Sequence, residues 1–240
     1  MSTLCLDFGN SRLKAAFFQS SNTIEAVVLE NDHISNIELL LEKYKPTKSI
    51  LASVINHNSE IENLLNKHTQ FHKLDSNSKL NFNISVSNPQ NVGTDRLSLI
   101  AAAVDILPNT NTLVIGLGSC ITYNFVNQYQ QFLGGAISPG LSMRFKSLHD
   151  YTEKLPLVQE NWNFPMIGYD TKTNIQSGVI NGIINEIEGF IQKYEDRYSQ
   201  FNVMLTGGDA HYFASQIKKN TFADPHLLFK GLYVLSELNN

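Results

Sequence analysis

Leu4-Cys-Leu-Asp-Phe-Gly-Asn-Ser-Arg-Leu-Lys14 and Leu113-Val-Ile-Gly-Leu-Gly-Ser-Cys-Ile-Thr-Tyr-Asn124 decide the fold, because they share one pattern. Each reads as an apolar strand, a Gly turn with a small hydroxyl residue, and a second strand. A phosphate-binding hairpin used twice would look like this. Between the two lies Asn91-Val-Gly-Thr-Asp-Arg96, a carboxylate beside a guanidinium on a Gly turn, and hence a candidate catalytic centre.

Working outward, residues 3–8 and 12–18 are expected as strands joined by Gly9-Asn10-Ser11. Gly and Asn tolerate the positive backbone angles of a tight hairpin. A strand over 24–29, a helix over 34–44 ending before Pro46, a buried strand over 49–54 and a helix over 59–67 follow. Residues 69–90 are Asn/Ser-rich, with strand fragments at best. A helix over 94–107 carries Leu97, Ile100, Ala101, Val104 and Leu107 in one stripe and stops at Pro108.

The order then starts again. Strands are expected over 112–115, 120–126 and 131–137, and Pro139-Gly140 opens a helix to about 148. The longest helical pattern, 171–198, places Ile175, Val179, Ile183, Ile187, Phe190 and Tyr194 on one face. Gly178, Gly182 and Gly189 each disfavour that helix by about 1 kcal/mol, so close approach of another helix is expected to offset them. A strand over 201–205, a loop over 206–208, a helix over 210–217 and a last segment over 227–238 complete the chain. The expected fold is α/β, with two duplicated lobes at 1–110 and 111–240 and the active site in the cleft between them.

Bulk composition narrows the function. The 240 residues are 42% hydrophobic and 17% charged, with a net charge of -4. Such a balance fits a globular protein and gives no basic footprint for nucleic acid. No apolar run reaches the ~18–20 residues of a membrane span, and the N-terminus does not read as a signal peptide. A soluble, cytoplasmic protein is expected. Cys5 and Cys120 sit in apolar strands, where reduced Cys behaves as a small hydrophobe. Of the seven His residues, no pair shows zinc-ligand spacing backed by Cys; His68 and His72, an i,i+4 pair, are expected to be solvated.

Asp7 ends a buried strand, and the following turn has no bulky side chains, so its backbone N–H groups can approach phosphate. Asp7 can hold Mg²⁺ through water. Lys14 is a candidate cation for the transferred phosphoryl group. Taken alone, the segment also fits a plain hairpin with an exposed Lys. Gly116 to Thr122, with the Ser119 hydroxyl, could cradle the other side of a nucleotide, or be a simple Gly-rich hairpin. Thr206-Gly207-Gly208 lets a flat adenosine lie against backbone, or is a strand–helix turn with Asp209 as cap. Asp95 can take a proton from a hydroxyl while Thr94 or Arg96 binds an acidic substrate; Thr94 or Asp95 can also be a helix cap. The Gly-Lys-Ser/Thr nucleotide loop and the dinucleotide Gly-x-Gly-x-x-Gly are both absent.

Together these residues resemble the type III pantothenate kinases, of the actin, Hsp70 and sugar-kinase ATPase superfamily with its ribonuclease H-like lobes. The likeness runs nearly end to end. It includes Asp7-x-Gly-Asn-Ser11, Asn88-Pro89 leading to Gly93-Thr-Asp-Arg96, Gly134-Gly-Ala-Ile-Ser-Pro-Gly140, Ile167-Gly-Tyr-Asp-Thr171 and Thr206-Gly-Gly-Asp-Ala210. The resemblance implies ATP-dependent phosphorylation of pantothenate, the entry to coenzyme A synthesis, by a homodimer using Mg²⁺ and a monovalent cation, K⁺ or NH4⁺. It implies Asp95 as catalytic base. ATP and phosphate fall to Asp7, Phe8, Gly9, Asn10, Ser11, Arg12, Leu13, Lys14 and Ser119. Pantothenate falls to Val86, Gly93, Thr94, Asp95, Arg96 and Thr171, and adenosine to Gly207 and Gly208.

Three positions depart from the family. Gly116 stands where an Asp ligates the monovalent cation, so a charged ligand is lost. Asn124 stands for a common second Asp, and Val86 for a Tyr lining the substrate site. On the sequence, a weakened homologue with a binding or transcription-accessory role stays open, as does a kinase of another small hydroxy acid or sugar.

Overall fold

The computed structural model describes residues 2–198 and 200–240, apart from the side chains of Thr23 and Ile24. The chain divides into two compact units, and not by a single cut. The first holds residues 1–110, 126–134 and 226–240; the second holds 111–125 and 135–225.

In the first unit, β1 (Ser2–Phe8), β2 (Leu13–Gln19) and β3 (Asn22–Leu29) form an antiparallel meander. The left-handed residues expected at Gly9 and Asn10 are absent there. They occur one turn later, at Ser20 (φ 49°) and Ser21 (φ 69°) between β2 and β3. The Gly9 turn closes instead by a bond from Gly9 N–H to Arg12 O, 3.2 Å.

After α1 (Ile34–Tyr44), β4 (Lys48–Ser53) lies parallel to β1. After α2 (Glu60–His68), β5 (Gln70–Lys73) extends the sheet, giving the order β3-β2-β1-β4-β5. Strand alternation gives β1 two faces. Leu4, Leu6 and Phe8 join Ile37, Leu40, Ile61 and Leu65 in one core under α1 and α2. Thr3, Cys5 and Asp7 point the other way. The helix α7 (Leu227–Asn239) packs on β1 and β4.

The helix α3 (Thr94–Ile106) packs along α7. It begins at residue 94 as expected and frays one residue early. A Cβ at Gly231 on α7 would lie 1.7 Å from Ser98 O on α3, so these backbones are in contact. That helix pairing ties the C-terminal segment to the first unit. The Asn/Ser-rich stretch contains β5 and the two-residue β6 (Asn83–Ile84), followed by a 3₁₀ turn at Pro89–Asn91.

The second sheet repeats the plan. β7 (Thr112–Leu117), β8 (Cys120–Val126) and β9 (Gln131–Pro139) are successive neighbours, β10 (Asn202–Thr206) lies parallel beside β7, and β11 (Phe222–Ala223) lies beside β10. The order is β11-β10-β7-β8-β9-β6. So β10 stands to β7 as β4 stands to β1. The added strand β6 pairs with Gln131 and Phe132 of β9, which is why 126–134 belongs to the first unit.

Between β9 and β10 come α4 (Leu141–Asp150) and α5 (Thr171–Glu195). A capping box of Asp170 and Thr173 starts α5. Ile175, Val179, Ile183 and Ile187 are buried against the sheet, and Phe190 stacks on Tyr123 at 4.0 Å. The helix α6 is only Ala210–Ala214, shorter than the expected 210–217. No described helix is long and apolar enough to cross a membrane.

Because the Gly231 contact is backbone on backbone, no rotamer change can relieve an added methyl. Gly231→Ala is expected to cost roughly 2–3 kcal/mol, lowering the melting temperature by about 5–10 °C. A melt within 1 °C of the parent would mean that α3 and α7 separate freely.

Candidate active site

In the first unit, the chemistry collects at the carboxyl end of β1. Ligands in open α/β sheets bind outside the carboxyl ends of parallel strands, and β1 and β4 are the parallel pair here. Asp7 lies opposite Lys14 in the β1–β2 register, so both side chains leave the same face of the sheet. Asp7 is 9% exposed. Burial pushes its carboxyl up to about 6 from 3.8; Lys14 pulls it down, and the negative charge of Asp95 pushes it up. The fold therefore brings Asp7, Lys14 and Asp95 into one electrostatic neighbourhood.

Asp95 reaches this place because Gly93 is the N-cap of α3 and Asp95 lies in its first turn. Neither Thr94 nor Asp95 is the cap. The N-terminal turn of a helix favours negative charge. A Cβ on Gly93 would lie 2.5 Å from Asp95 Oδ1, so glycine leaves room for that carboxylate. Thr94 Oγ1 is buried and finds no hydrogen-bond partner among the described residues. A buried hydroxyl without a partner, next in the chain to Asp95, suits a polar substrate.

Arg96 is half-buried, with its guanidinium carbon 5.4 Å from the centroid of the Phe132 ring. Val86 is brought alongside by β6. Its Cγ1 lies 3.3 Å from where a Cβ on Gly134 would stand. Phe8 is fully buried and packs edge-on against His57, and Leu13 packs into the same core. Those two can therefore offer a ligand only backbone atoms. Asn10, Ser11 and Arg12 are exposed on the turn, and Gly9 is partly so.

A divalent cation fits the Asp7–Asp95 pair on electrostatic grounds. A buried carboxylate whose pKa is raised partly by a neighbouring carboxylate is a place where positive charge is favoured. Among the described residues, no group of three or more His, Cys, Asp or Glu side chains surrounds a metal position. A Mg²⁺ arriving with phosphate and water ligands needs no such cage.

In the second unit, Gly116, Ser119, Thr171, Gly207 and Gly208 fall at two places. Gly116 is not in a turn. It is buried inside β7, opposite Thr206 of β10, and the turn is Gly118-Ser119. Beside that turn lies the loop after β10. Gly207 has φ 102°, and a Cβ there would come within 2.1 Å of Leu117 O. Gly140 is pressed as tightly, 2.2 Å from Gly118 O by the same measure. The conformation of Gly207 and the approach at Gly140 thus explain two glycines of the sequence motifs. At Gly208 nothing lies within 4 Å of the Cβ position, leaving an open face.

Thr171, the first residue of α5, lines a cavity of about 660 Å³ with Arg144, Asn174, Ile175 and Gly178. Arg144 is held by Glu186, which also accepts from Tyr123 Oη (2.9 Å) and Ser138 Oγ (2.5 Å). Burial raises the Glu186 pKa, but the bonds from Arg144, Ser138 and Tyr123 outweigh it and hold the carboxyl below its ordinary range. Tyr123 and Ser138 lie inside stretches quoted from the sequence and Arg144, Glu186 and Phe132 outside them, and nothing in the sequence signals that they meet.

With the geometry in hand, the comparisons bear on it directly. Residues 3–193 match the family model described as Type III pantothenate kinase. A type III pantothenate kinase from Christiangramia forsetii is 40% identical over 238 residues, 98% of either chain. One from Flavobacterium johnsoniae is 38% identical over 231 residues, 95% of either chain. Among solved structures, a protein described as a conserved Baf family transcriptional activator from Campylobacter jejuni superposes with a TM-score of 0.63. Its identity is 23%, covering 98% of this chain and 97% of that one. A glucokinase from an Antarctic psychrotroph gives 0.53 at 9% identity, covering 98% of each. These two likenesses establish the shared fold alone.

The Asp7 carboxylate supplies a stability test. Its folded pKa, about 6, lies above its ordinary 3.8. Native protein thus binds the proton more tightly than unfolded protein between those values. Stability falls as pH rises from about 4 to about 6, and the full penalty of roughly 3 kcal/mol applies above 6. Ligand-free Asp7→Asn is expected to be about 1–3 kcal/mol more stable than the parent at pH 7.5, with the difference shrinking towards pH 4. Equal stability of the two at pH 7.5 in urea denaturation would show that Asp7 is not held as described.

Proposed function

We infer that this chain, which belongs to the type III pantothenate kinase family, phosphorylates pantothenate with ATP to 4'-phosphopantothenate, the first step of coenzyme A biosynthesis. The observation that carries the site assignment is the meeting of Asp7, Lys14 and Asp95 at the end of β1.

Asp95 is the base. It accepts the proton of the pantothenate hydroxyl as that oxygen bonds to the γ-phosphorus and ADP departs with the electron pair. Phosphoryl transfer asks little covalent chemistry of a protein, so positioning and charge dominate. Arg96 binds the pantothenate carboxylate, and the Thr94 hydroxyl and Gly93 backbone line the same substrate. Thr171, beside Arg144 on its cavity, is assigned to pantothenate too. Lys14 and the Gly9–Ser11 backbone face the phosphates. Asp7 would hold Mg²⁺ through water, and that ion would neutralise phosphate charge. In the second unit, the Ser119 hydroxyl is assigned to phosphate and the Gly207-Gly208 backbone to adenosine.

Gly116, buried within β7, offers no carboxylate to a monovalent cation. We therefore read the K⁺ or NH4⁺ requirement as weak. A homodimer is supported by α5: nothing lies within 4 Å of a Cβ at Gly178, Gly182 or Gly189, so no element of the same protomer accounts for these glycines. Nearby in sequence, Met166, Ile167 and Tyr169 are each more than 80% exposed. A second copy of α5 would use both features. A kinase that draws on cellular ATP for coenzyme A synthesis works in the cytoplasm.

The test is ADP release measured with and without pantothenate, in KCl at constant ionic strength. Pantothenate-dependent release with little saturable K⁺ stimulation is expected; release indifferent to pantothenate would reject the substrate. In the same assay Asp95→Asn should lower turnover by roughly 10²–10⁴-fold with little change in nucleotide binding. Near-normal turnover would remove Asp95 from the role of base.

A further inference from the structure

His211 follows directly on the Thr206-Gly-Gly-Asp-Ala210 stretch, on α6, and its side chain is exposed. Its Nδ1 lies 3.2 Å from Gly208 O. A carbonyl oxygen only accepts, so Nδ1 carries the proton of that bond. In a neutral imidazole the other nitrogen, Nε2, is then an acceptor. Tyr212 lies against the ring, with centroids 3.6 Å apart, and Trp162 stacks on Tyr212 at 4.4 Å with planes at 11°. Trp162 in turn meets the buried ring of Phe213 edge-on. The loop is fixed as well. Asp209 N–H donates to Leu117 O and Ala210 N–H to Gly207 O, each at 3.3 Å. All of these residues belong to the second unit.

Nothing stands within 4 Å of the Gly208 Cβ position, so a flat purine has room against that backbone. The imidazole bonded to the Gly208 carbonyl then lies beside the base and presents one acceptor in a set place. Purines differ in what they offer at position 6. Adenine carries an amino group, a donor; guanine and hypoxanthine carry an oxygen, an acceptor. A fixed acceptor pairs with the first and leaves the second unpaired. Because loop and ring are ordered before the nucleotide arrives, little freedom is lost on pairing.

We propose that His211 selects the base of the nucleoside triphosphate, its Nε2 accepting a hydrogen bond from the 6-amino group of adenine. Trp162 and Tyr212 keep the imidazole in place, and the bond to Gly208 O fixes which nitrogen accepts. Guanine and hypoxanthine nucleotides are disfavoured because their 6-oxygen meets Nε2 acceptor to acceptor. The inference rests on the reading of Gly207 and Gly208 as the adenosine loop.

The experiment is steady-state phosphorylation of pantothenate by the full-length enzyme, with ATP or inosine triphosphate as donor, at about pH 8 to keep imidazoles neutral. Inosine triphosphate has an oxygen in place of the 6-amino group and a proton on the neighbouring ring nitrogen. The variants are His211→Ala, His211→Phe, which keeps an aromatic ring without the acceptor, and Gly208→Leu. The parent should prefer ATP in kcat/KM. Each His211 variant should lower that preference roughly 5–30-fold, with the KM for pantothenate within about twofold of the parent. General loosening of the fold would weaken both nucleotides alike and leave their ratio unchanged. Gly208 has no positive φ and has space for a side chain, so Gly208→Leu should fold and raise the KM for both nucleotides. If Gly208→Leu does so but the parent shows no preference, or the His211 variants keep it, the base-selecting role is wrong and the adenosine loop stands. If Gly208→Leu leaves both nucleotide KM values unchanged, the adenosine assignment fails and the inference falls with it.

Discussion

A carboxylate buried at the end of a central strand is the constraint on which the first unit is organised. Asp7 lies on β1, flanked by β2 and β4, with Lys14 directly opposite. Burying a charge is costly unless something compensates, and here compensation is partial: burial and the neighbouring Asp95 together push the carboxyl up to about 6. A sequence optimised for stability alone would not place two carboxylates together. Retaining both makes sense where a cation and phosphates complete the site. The rest of the unit serves that placement. The apolar face of β1 is sealed by α1 and α2, while α7 and α3 cover the other face and deliver Asp95.

The second unit shows the same construction with different chemistry. Its β10–β7 pair mirrors β4–β1, yet β7 presents Gly116 near the place where β1 presents Asp7. Backbone crowding takes over from charge. The Leu117 carbonyl is approached by Gly207, and the Gly118 carbonyl by Gly140. Turn, loop and the start of α4 are thereby held against one another without a side chain between them. Glycine is needed there because Cβ atoms would overlap backbone oxygens.

Much of this was legible in the sequence. The duplicated meander, the start of α3 at Gly93-Thr94 and the buried stripe of α5 all follow from local periodicity and turn chemistry. What was not legible depends on partners distant in the chain. The strands β5 and β6 carry little apolar signal and exist because β4 and β9 offer free edges. Gly9 and Asn10 were expected in left-handed conformations that Ser20 and Ser21 adopt instead. Close packing was expected at the glycines of α5, where nothing of the same protomer lies within 4 Å of the Cβ positions, whereas the tight α7–α3 contact at Gly231, against Ser98, was not foreseen. Segments 126–134 and 226–240 join the first unit through strand pairing and helix packing that no local pattern announces. Phe132 gives no sign of its contact with Arg96, because a buried Phe in a strand is ordinary core until the three-dimensional neighbour is known.

The central claim is that Asp7 and Asp95 share one electrostatic site. Its most direct test is a carboxyl-carbon NMR titration of Asp7 in the parent protein and in Asp95→Asn, both free of nucleotide. The account predicts that Asp7 titrates near pH 6 in the parent and at lower pH once the Asp95 charge is removed. Titration of Asp7 in the ordinary aspartate range, unmoved by the substitution, would contradict it.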